Sequence, residues 1–323
     1  MRIIKGTTAL ALLAVVAAAC TDTGGGATSA PTAAATPAAT PAASVEAPSA
    51  PAAESPSAAP TADACAPETL ALKTAGKLTI GADNPAYPPY FEESDPQADP
   101  WDFGNPTNGK GFESAMGFAI ADEMGFGKDA VSWVVTPFNN AIQPGPKDFD
   151  IYLTQVSYSP ERAQAVDLSD GYYDLTQSLV VPEGSKFADA KSIADLKDMV
   201  LGAQVGTTSL KTITDVIAPN TEPKIYDTND IAVKQLQNGK LDGLVVDLPT
   251  ASYVAFVQLE TGTILGQFAN SAAGEHFSAV LDKDSPLTAC VNAAIGRLAA
   301  AGTLDALATQ WLPDLVSVPV FQP

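Results

Sequence analysis

Apolar positions along this chain alternate between two periods. Short runs of strand length fall at 77–81, 131–135, 150–156, 177–181, 200–205, 224–226, 243–247 and 277–281. Between them lie segments with helical spacing. The clearest is 112–124, apolar at 112, 115, 116, 119, 120 and 124 and closed by Gly125. Further helices are expected at 193–197, after Ser209, at 229–238, at 249–259 and at 286–312 with a break at Gly302. Strands alternating with helices imply an α/β fold, a parallel sheet covered by helices on both faces. Ligands of such sheets bind beyond the carboxyl ends of the strands. Tyr87, Ser157, Thr207, Thr208 and Asp247 all stand at or just after a predicted strand end, which lets them converge.

Two segments carry the candidate chemistry. Residues 82–90 form a proline-stiffened loop with two aromatic rings, Tyr87 and Tyr90. Residues 92–110 are polar, proline-rich and aperiodic apart from Trp101 and Phe103, and read as a surface excursion that could cover a cleft mouth. Ser159-Pro160-Glu161-Arg162 reads as a helix start, with Ser as N-cap and Pro at the first helical position. A guanidinium there sits beside free backbone N–H groups and the positive end of a helix dipole, which is unfavourable until an anion arrives. It is also the natural two-pronged partner of a carboxylate. The alternative is an exposed arginine paired with Glu161, Asp167 or Asp170.

The N-terminus sets the compartment. Arg2 and Lys5 precede an apolar run, 9–19, that ends in small residues before Cys20. This is a signal peptide, 1–19, too short for a permanent membrane span. Ala17-Ala18-Ala19-Cys20 resembles a bacterial lipobox, which would make Cys20 the lipidated first residue of an extracytoplasmic, membrane-anchored protein; plain secretion is the alternative. Residues 20–66 follow as an Ala/Pro/Thr/Ser tether with too little apolar surface to fold. Extended as polyproline II, it would reach at most roughly 140 Å. The formal charge of −20 becomes −22 once Arg2 and Lys5 leave with the signal, which argues against nucleic acid and anionic lipid headgroups as partners. Membrane contact is then through the N-terminal lipid only.

Beyond Cys20 the chain has two cysteines, Cys65 and Cys290. An oxidising compartment favours one disulfide, worth roughly 4–5 kcal/mol for so long a loop; two buried thiols are the alternative. With a single histidine and no His/Cys cluster, neither a metal site, a cofactor nor a His-based catalytic dyad is expected.

The ordered series of motifs resembles the bacterial extracellular solute-binding proteins of family 3, the amino-acid receptors of ABC importers. It runs from Gly81-Ala-Asp and Tyr87-Pro-Pro-Tyr90 through Gly111-Phe112-Glu113, Phe149-Asp150 and Ser159-Pro160-Glu161-Arg162 to Val166-Asp167-Leu168-Ser169-Asp170-Gly171-Tyr172-Tyr173. Gly206-Thr207-Thr208, Gly239-Lys-Leu-Asp242-Gly243 with Asp247, and Gly302-Thr303-Leu304 with Trp311-Leu312 complete it. The resemblance implies a two-lobed, type II periplasmic-binding-protein-like fold, each lobe a mostly parallel sheet flanked by helices, joined by a two-segment hinge near 180–182 and 274–277. Lobe 1 would hold 67–181 plus 275–323, and lobe 2 would hold 182–274. It implies a monomer that passes a small-molecule amino acid to the transmembrane subunits of an ABC permease.

By the same resemblance, Arg162 takes the ligand carboxylate with Ser157 and Thr208, and Asp247 takes the ammonium. Tyr87 and Phe138 wall the side chain. Asp247, Thr207 and Thr208 have helix capping as an alternative role. Asp83 and Glu113 have two readings, neutralising a cationic ligand side chain or serving as solvated or capping groups. Thr154-Gln155 stands where the family has small residues, so Gln155 is expected to intrude on the pocket. The competing functions are a ligand sensor without transport and a dehydratase-like enzyme on the same fold, using Glu113 or Asp83 as acid. No enzyme activity is expected.

Overall fold

The computed structural model describes residues 62–269 and 274–323. The expected signal peptide, Cys20 and nearly all of the expected tether lie outside them. The strands in chain order are β1 (Leu78–Ala82), β2 (Val131–Val135), β3 (Ile151–Tyr152), β4 (Asp167–Leu168), β5 (Tyr173–Asp174) and β6 (Gln177–Val181). They continue with β7 (Leu201–Gln204), β8 (Lys224–Tyr226), β9 (Gly243–Asp247), β10 (Thr263–Gln267), β11 (His276–Phe277) and β12 (Val280–Leu281).

Two five-stranded sheets form, in the orders β2-β1-β3-β12-β4 and β10-β6-β9-β7-β8. In the first, β1 runs parallel to β2 and β3, and β12 is antiparallel to β3 and β4. In the second, β7 is parallel to β8 and β9, and β6 is antiparallel to β9 and β10. Both sheets are therefore mixed. The antiparallel neighbours include β6, the first strand to enter the second sheet, and β12, which follows the return to the first. Each sheet has its own apolar core: Ile80, Phe112, Met116, Ile120 and Val291 in the first lobe, Leu179, Leu201, Ile213 and Val245 in the second.

Helix Phe112–Glu123 starts where the Gly-Phe-Glu motif predicts. Gly111 has φ 94°, and a Cβ there would lie 2.5 Å from the Tyr90 carbonyl oxygen, so no larger residue fits. The helix packs against Thr288–Ala300 and Thr303–Trp311, broken at Gly302 as expected. Cys65 and Cys290 are bonded, with a Cα–Cα distance of 5.5 Å, and tie the start of the folded body to the first lobe.

Two boundaries differ from the sequence reading. Strand β6, expected at the end of lobe 1, belongs to the second sheet, so the first crossing lies before Gln177 and not near 181. Pro182 ends a strand there, not a lobe. The crossing is framed by the pair β5–β11, with Asp174 opposite His276 and Tyr173 opposite Phe277. The chain end also differs, because residues after Leu312 return to the second lobe. Gln267 N–H donates to Pro319 O at 2.8 Å, Phe321 N–H to Gln267 O at 2.9 Å and Ile193 N–H to Gln322 O at 2.8 Å. Phe321, 5% exposed, seats its ring 5.1 Å from Phe268 in the second core. A third strand of chain thus joins the lobes. Residues 92–110 are not a loose cover either. Trp101 is buried in the first core, the Phe103 ring lies tilted 5.1 Å from that of Tyr87, and none of these residues lines the cleft.

Candidate functional site

The cleft between the sheets is lined from strand ends, as the topology dictates. Asp83 and Tyr87 follow β1, Gln155 and Ser157 follow β3, and Thr207 and Thr208 follow β7. Asp230 follows β8, and Asp247 ends β9. Every residue predicted for the site lines this cleft, namely Arg162, Asp247, Ser157, Thr208, Thr207, Tyr87, Phe138, Gln155 and Asp83.

Arg162 opens a short helical turn, Arg162–Ala165, with Glu161 at the N-cap position where Ser159 was expected, although its N–H donates to Ser159 Oγ at 3.1 Å. The side chain is 8% exposed and lies over the Phe138 ring, 5.7 Å from its centre. It donates to Ser157 O and, across the cleft, to Gly206 O at 2.9 Å. Among the described residues no carboxylate lies within ion-pair distance of it; Glu161 meets Lys211 instead, and Asp167 meets Lys283. Burial pulls Arg162 down to about 10, opposed by the charge of Glu275. A guanidinium has five N–H donors, so this buried cation keeps donors free for an anion.

Thr208 and Ser157 meet hydroxyl to hydroxyl at 3.2 Å beside it, and Gln177 Nε2 donates to Thr208 Oγ1 at 3.2 Å. Thr207 is a helix cap, accepting from Leu210 N–H at 3.2 Å and donating to Gln204 O at 2.7 Å. Asp247 is a cap as well. It accepts from Thr250 N–H at 2.9 Å, Thr250 Oγ1 at 2.8 Å and Tyr90 OH at 2.7 Å, and burial pushes its carboxyl up. The capping role left open for Asp247 holds, and the same residue lines the cleft.

The far end of the cleft is acidic. Burial raises Asp83 to about 6 against hydrogen bonds from Asn84 and Phe138, and Asp230 adds to the rise. Asp230, which the sequence reading missed, accepts from Tyr87 OH at 3.0 Å across the cleft. It is the second residue of the helix that follows β8, Asn229–Gln237. Tyr253, also missed, sets its ring 5.5 Å from that of Tyr87 in a tilted pair. Glu113 does not line the cleft. It is buried behind Gln155 and accepts from Tyr172 OH at 2.6 Å. His276 lies in β11 opposite Asp174, its Nδ1 2.7 Å from Gly274 O and its ring stacked on Tyr158.

The lining therefore offers one guanidinium against three carboxylates, Asp83, Asp230 and Asp247. Contacts between Tyr90 and Asp247, Tyr87 and Asp230, and Arg162 and Gly206 all join one lobe to the other. Among the described residues no group of three or more His, Cys, Asp or Glu is placed to hold a metal ion, and no helix is long and apolar enough to cross a membrane.

Comparisons with known proteins agree with this architecture. The L-arginine-binding protein of Pseudomonas aeruginosa is 29% identical over 250 residues, 72% of this chain and 90% of that relative. A probable histidine-binding protein of Neisseria gonorrhoeae is 34% identical over 111 residues, 33% of this chain and only 40% of that relative. Among solved structures, an ancestral arginine-binding protein bound to glutamine is 25% identical with a TM-score of 0.59, covering 74% of this chain and 98% of that one. An ancestral amino acid-binding protein, a precursor of cyclohexadienyl dehydratase, is 26% identical with a TM-score of 0.57, covering 74% and 96%. The family model for bacterial extracellular solute-binding proteins, family 3, matches residues 93–314, well over half of the chain. This chain belongs to family 3 of the bacterial extracellular solute-binding proteins.

Proposed function

We propose that this protein captures an α-amino acid with a cationic side chain between its lobes and hands it to the permease of an ABC importer. The observation that carries the reading is the charge of the cleft, one buried guanidinium facing three carboxylates. Arg162, with the Ser157 and Thr208 hydroxyls, receives the ligand carboxylate. Asp247 receives the α-ammonium. That pairing leaves Asp83 and Asp230 uncompensated, and a second cation on the ligand answers them. The names of the arginine- and histidine-binding relatives point the same way. Because the two ends of the zwitterion are held from different lobes, ligand binding favours closure. Cys20 would hold the receptor at the membrane through its lipid, with the tether giving it reach.

A dehydratase-like reading needs an acid aimed at the substrate. Glu113 is turned away from the cleft, so Asp83 alone of the two candidate acids lines it, and the related proteins named above are binding proteins. The test is calorimetry of the purified mature chain against L-arginine, L-lysine, L-histidine, L-glutamine and L-glutamate. Tight binding confined to the cationic set supports the reading. Preference for L-glutamine or L-glutamate overturns the assignment of Asp83 and Asp230, and failure to bind any α-amino acid overturns the whole.

A further inference from the structure

Glu113 is fully buried, at 0% exposure, in the first turn of helix Phe112–Glu123. Its carboxylate accepts from Gln155 N–H at 2.7 Å, from Tyr172 OH at 2.6 Å and from Gln155 Nε2. The titratable groups that face it are Tyr90, Tyr152, Tyr172 and, from the other lobe, Asp247. Burial, with a smaller push from Asp247, raises it to about 7 against those hydrogen bonds. Gln155 lines the cleft with φ 45°, a left-handed conformation that a non-glycine residue rarely takes. Glu113 holds both the backbone and the side chain of that residue.

An ionised carboxylate only accepts. The amide of Gln155 must therefore turn its NH2 toward Glu113, which leaves its carbonyl oxygen as the end free for the cleft. We propose that Glu113 is a positioning residue that fixes which end of the Gln155 amide the cleft sees, so that Gln155 presents an acceptor to a donor-rich, cationic ligand. This deepens the cationic-amino-acid reading and rests on it. Protonation reverses the arrangement. A neutral Glu113 donates its O–H to Gln155 Oε1, the amide turns over, and its NH2 faces the ligand, donor against donor. Ligand binding accordingly drives the Glu113 proton off into solvent. The departure of Gln155 from the small residues of the family then has a use: a long amide spans the gap between a buried charge and the ligand.

The experiment is calorimetry with L-arginine from about pH 6 to about pH 8.5 on the purified mature chain. It compares wild type, Glu113→Gln, Gln155→Ala and the double variant. A hydrogen bond to a charged group predicts that E113Q weakens binding roughly tenfold at about pH 8. In the Gln155→Ala background the same change alters affinity less than about twofold, because the amide through which it acts is gone. Wild-type affinity falls as pH drops through about 7, and both single variants flatten the profile above that point, leaving only the fall near pH 6 that Asp83 produces. The Gln155→Ala arm needs no change at Glu113, so a misfolded E113Q leaves the proposal open to refutation. Equal losses from E113Q in both backgrounds, or an unflattened profile in Gln155→Ala, overturn it. A wild type that binds no cationic amino acid overturns the underlying reading and the proposal together. A wild type that binds, with E113Q neutral, overturns the proposal alone.

Discussion

Arg162→Ala separates binding from folding, because the two effects have opposite causes. In the ligand-free protein Arg162 is a buried cation without an ion pair, and burial has pulled it down to about 10. Removing it relieves that desolvation, though Ser157 O and Gly206 O lose a donor and Phe138 loses its cover. These effects offset one another, so the melting temperature without ligand should change little. Binding is another matter. A ligand carboxylate brought into the cleft would lie buried without its partner, which costs about 2–5 kcal/mol. At 1.4 kcal/mol per tenfold, affinity for L-arginine should fall roughly 30- to 4,000-fold. Arg162→Lys keeps the charge and loses the planar fork, and should fall between wild type and alanine. Titration calorimetry gives the affinities, and a thermal melt without ligand gives the stability. If Arg162→Ala binds within about threefold of wild type, the carboxylate socket is elsewhere and the reasoning from the Ser-Pro-Glu-Arg turn is wrong.

Asp83 gives a pH signature with two signs. Its folded-state value of about 6 lies above the ordinary 3.8, so ionisation opposes folding, and stability without ligand rises as pH falls from about 7 toward 4. Affinity for a cationic ligand falls over the same range. Asp83→Asn should therefore raise ligand-free stability at about pH 8 by up to roughly 3 kcal/mol while weakening L-arginine binding, checked by urea melts and calorimetry. Replacing Cys65 and Cys290 with serine should cost up to roughly 4–5 kcal/mol, seen as the same loss on adding reductant to wild type. Phe321→Ala empties a buried site in the second lobe and should cost about 3–5 kcal/mol, measured by urea unfolding. An exposed, unanchored tail would instead make that substitution silent.

Much of the site was legible because strand ends are legible. Apolar runs such as 131–135 and 243–247 mark where a strand stops, and cleft-lining residues such as Phe138 and Asp247 stand at or just after those ends. Arg162 stood out because Ser159 and Pro160 mark a nearby helix start, which falls at Arg162 itself, and arginine is rare in the chain. Asp230 was missed because the spacing over 229–238 marks only a helix, whereas its approach to Tyr87 of the other lobe follows from tertiary placement. One residue pattern served two purposes and only the first was visible. The strand expected over 150–156 shrank to Ile151–Tyr152 because residues after Tyr152 turn to build the cleft wall, with Gln155 in a left-handed conformation. The tail was invisible for another reason. Residues 313–323 have neither helical nor strand period, and their order comes from partners such as Gln267 and Phe268 that lie far away in the chain.

That tail has a practical consequence. The described chain begins beside Cys65, bonded to the first lobe, and ends at Pro323, just after residues paired to the edge of the second. Its two ends thus ride on different bodies. A surface that holds the N-terminal side grips one lobe only and leaves the other free to swing. A label placed beside Cys65 and another near Pro323 should therefore report the approach of the lobes as a change in distance, a gauge of closure taken from the chain's own anchoring.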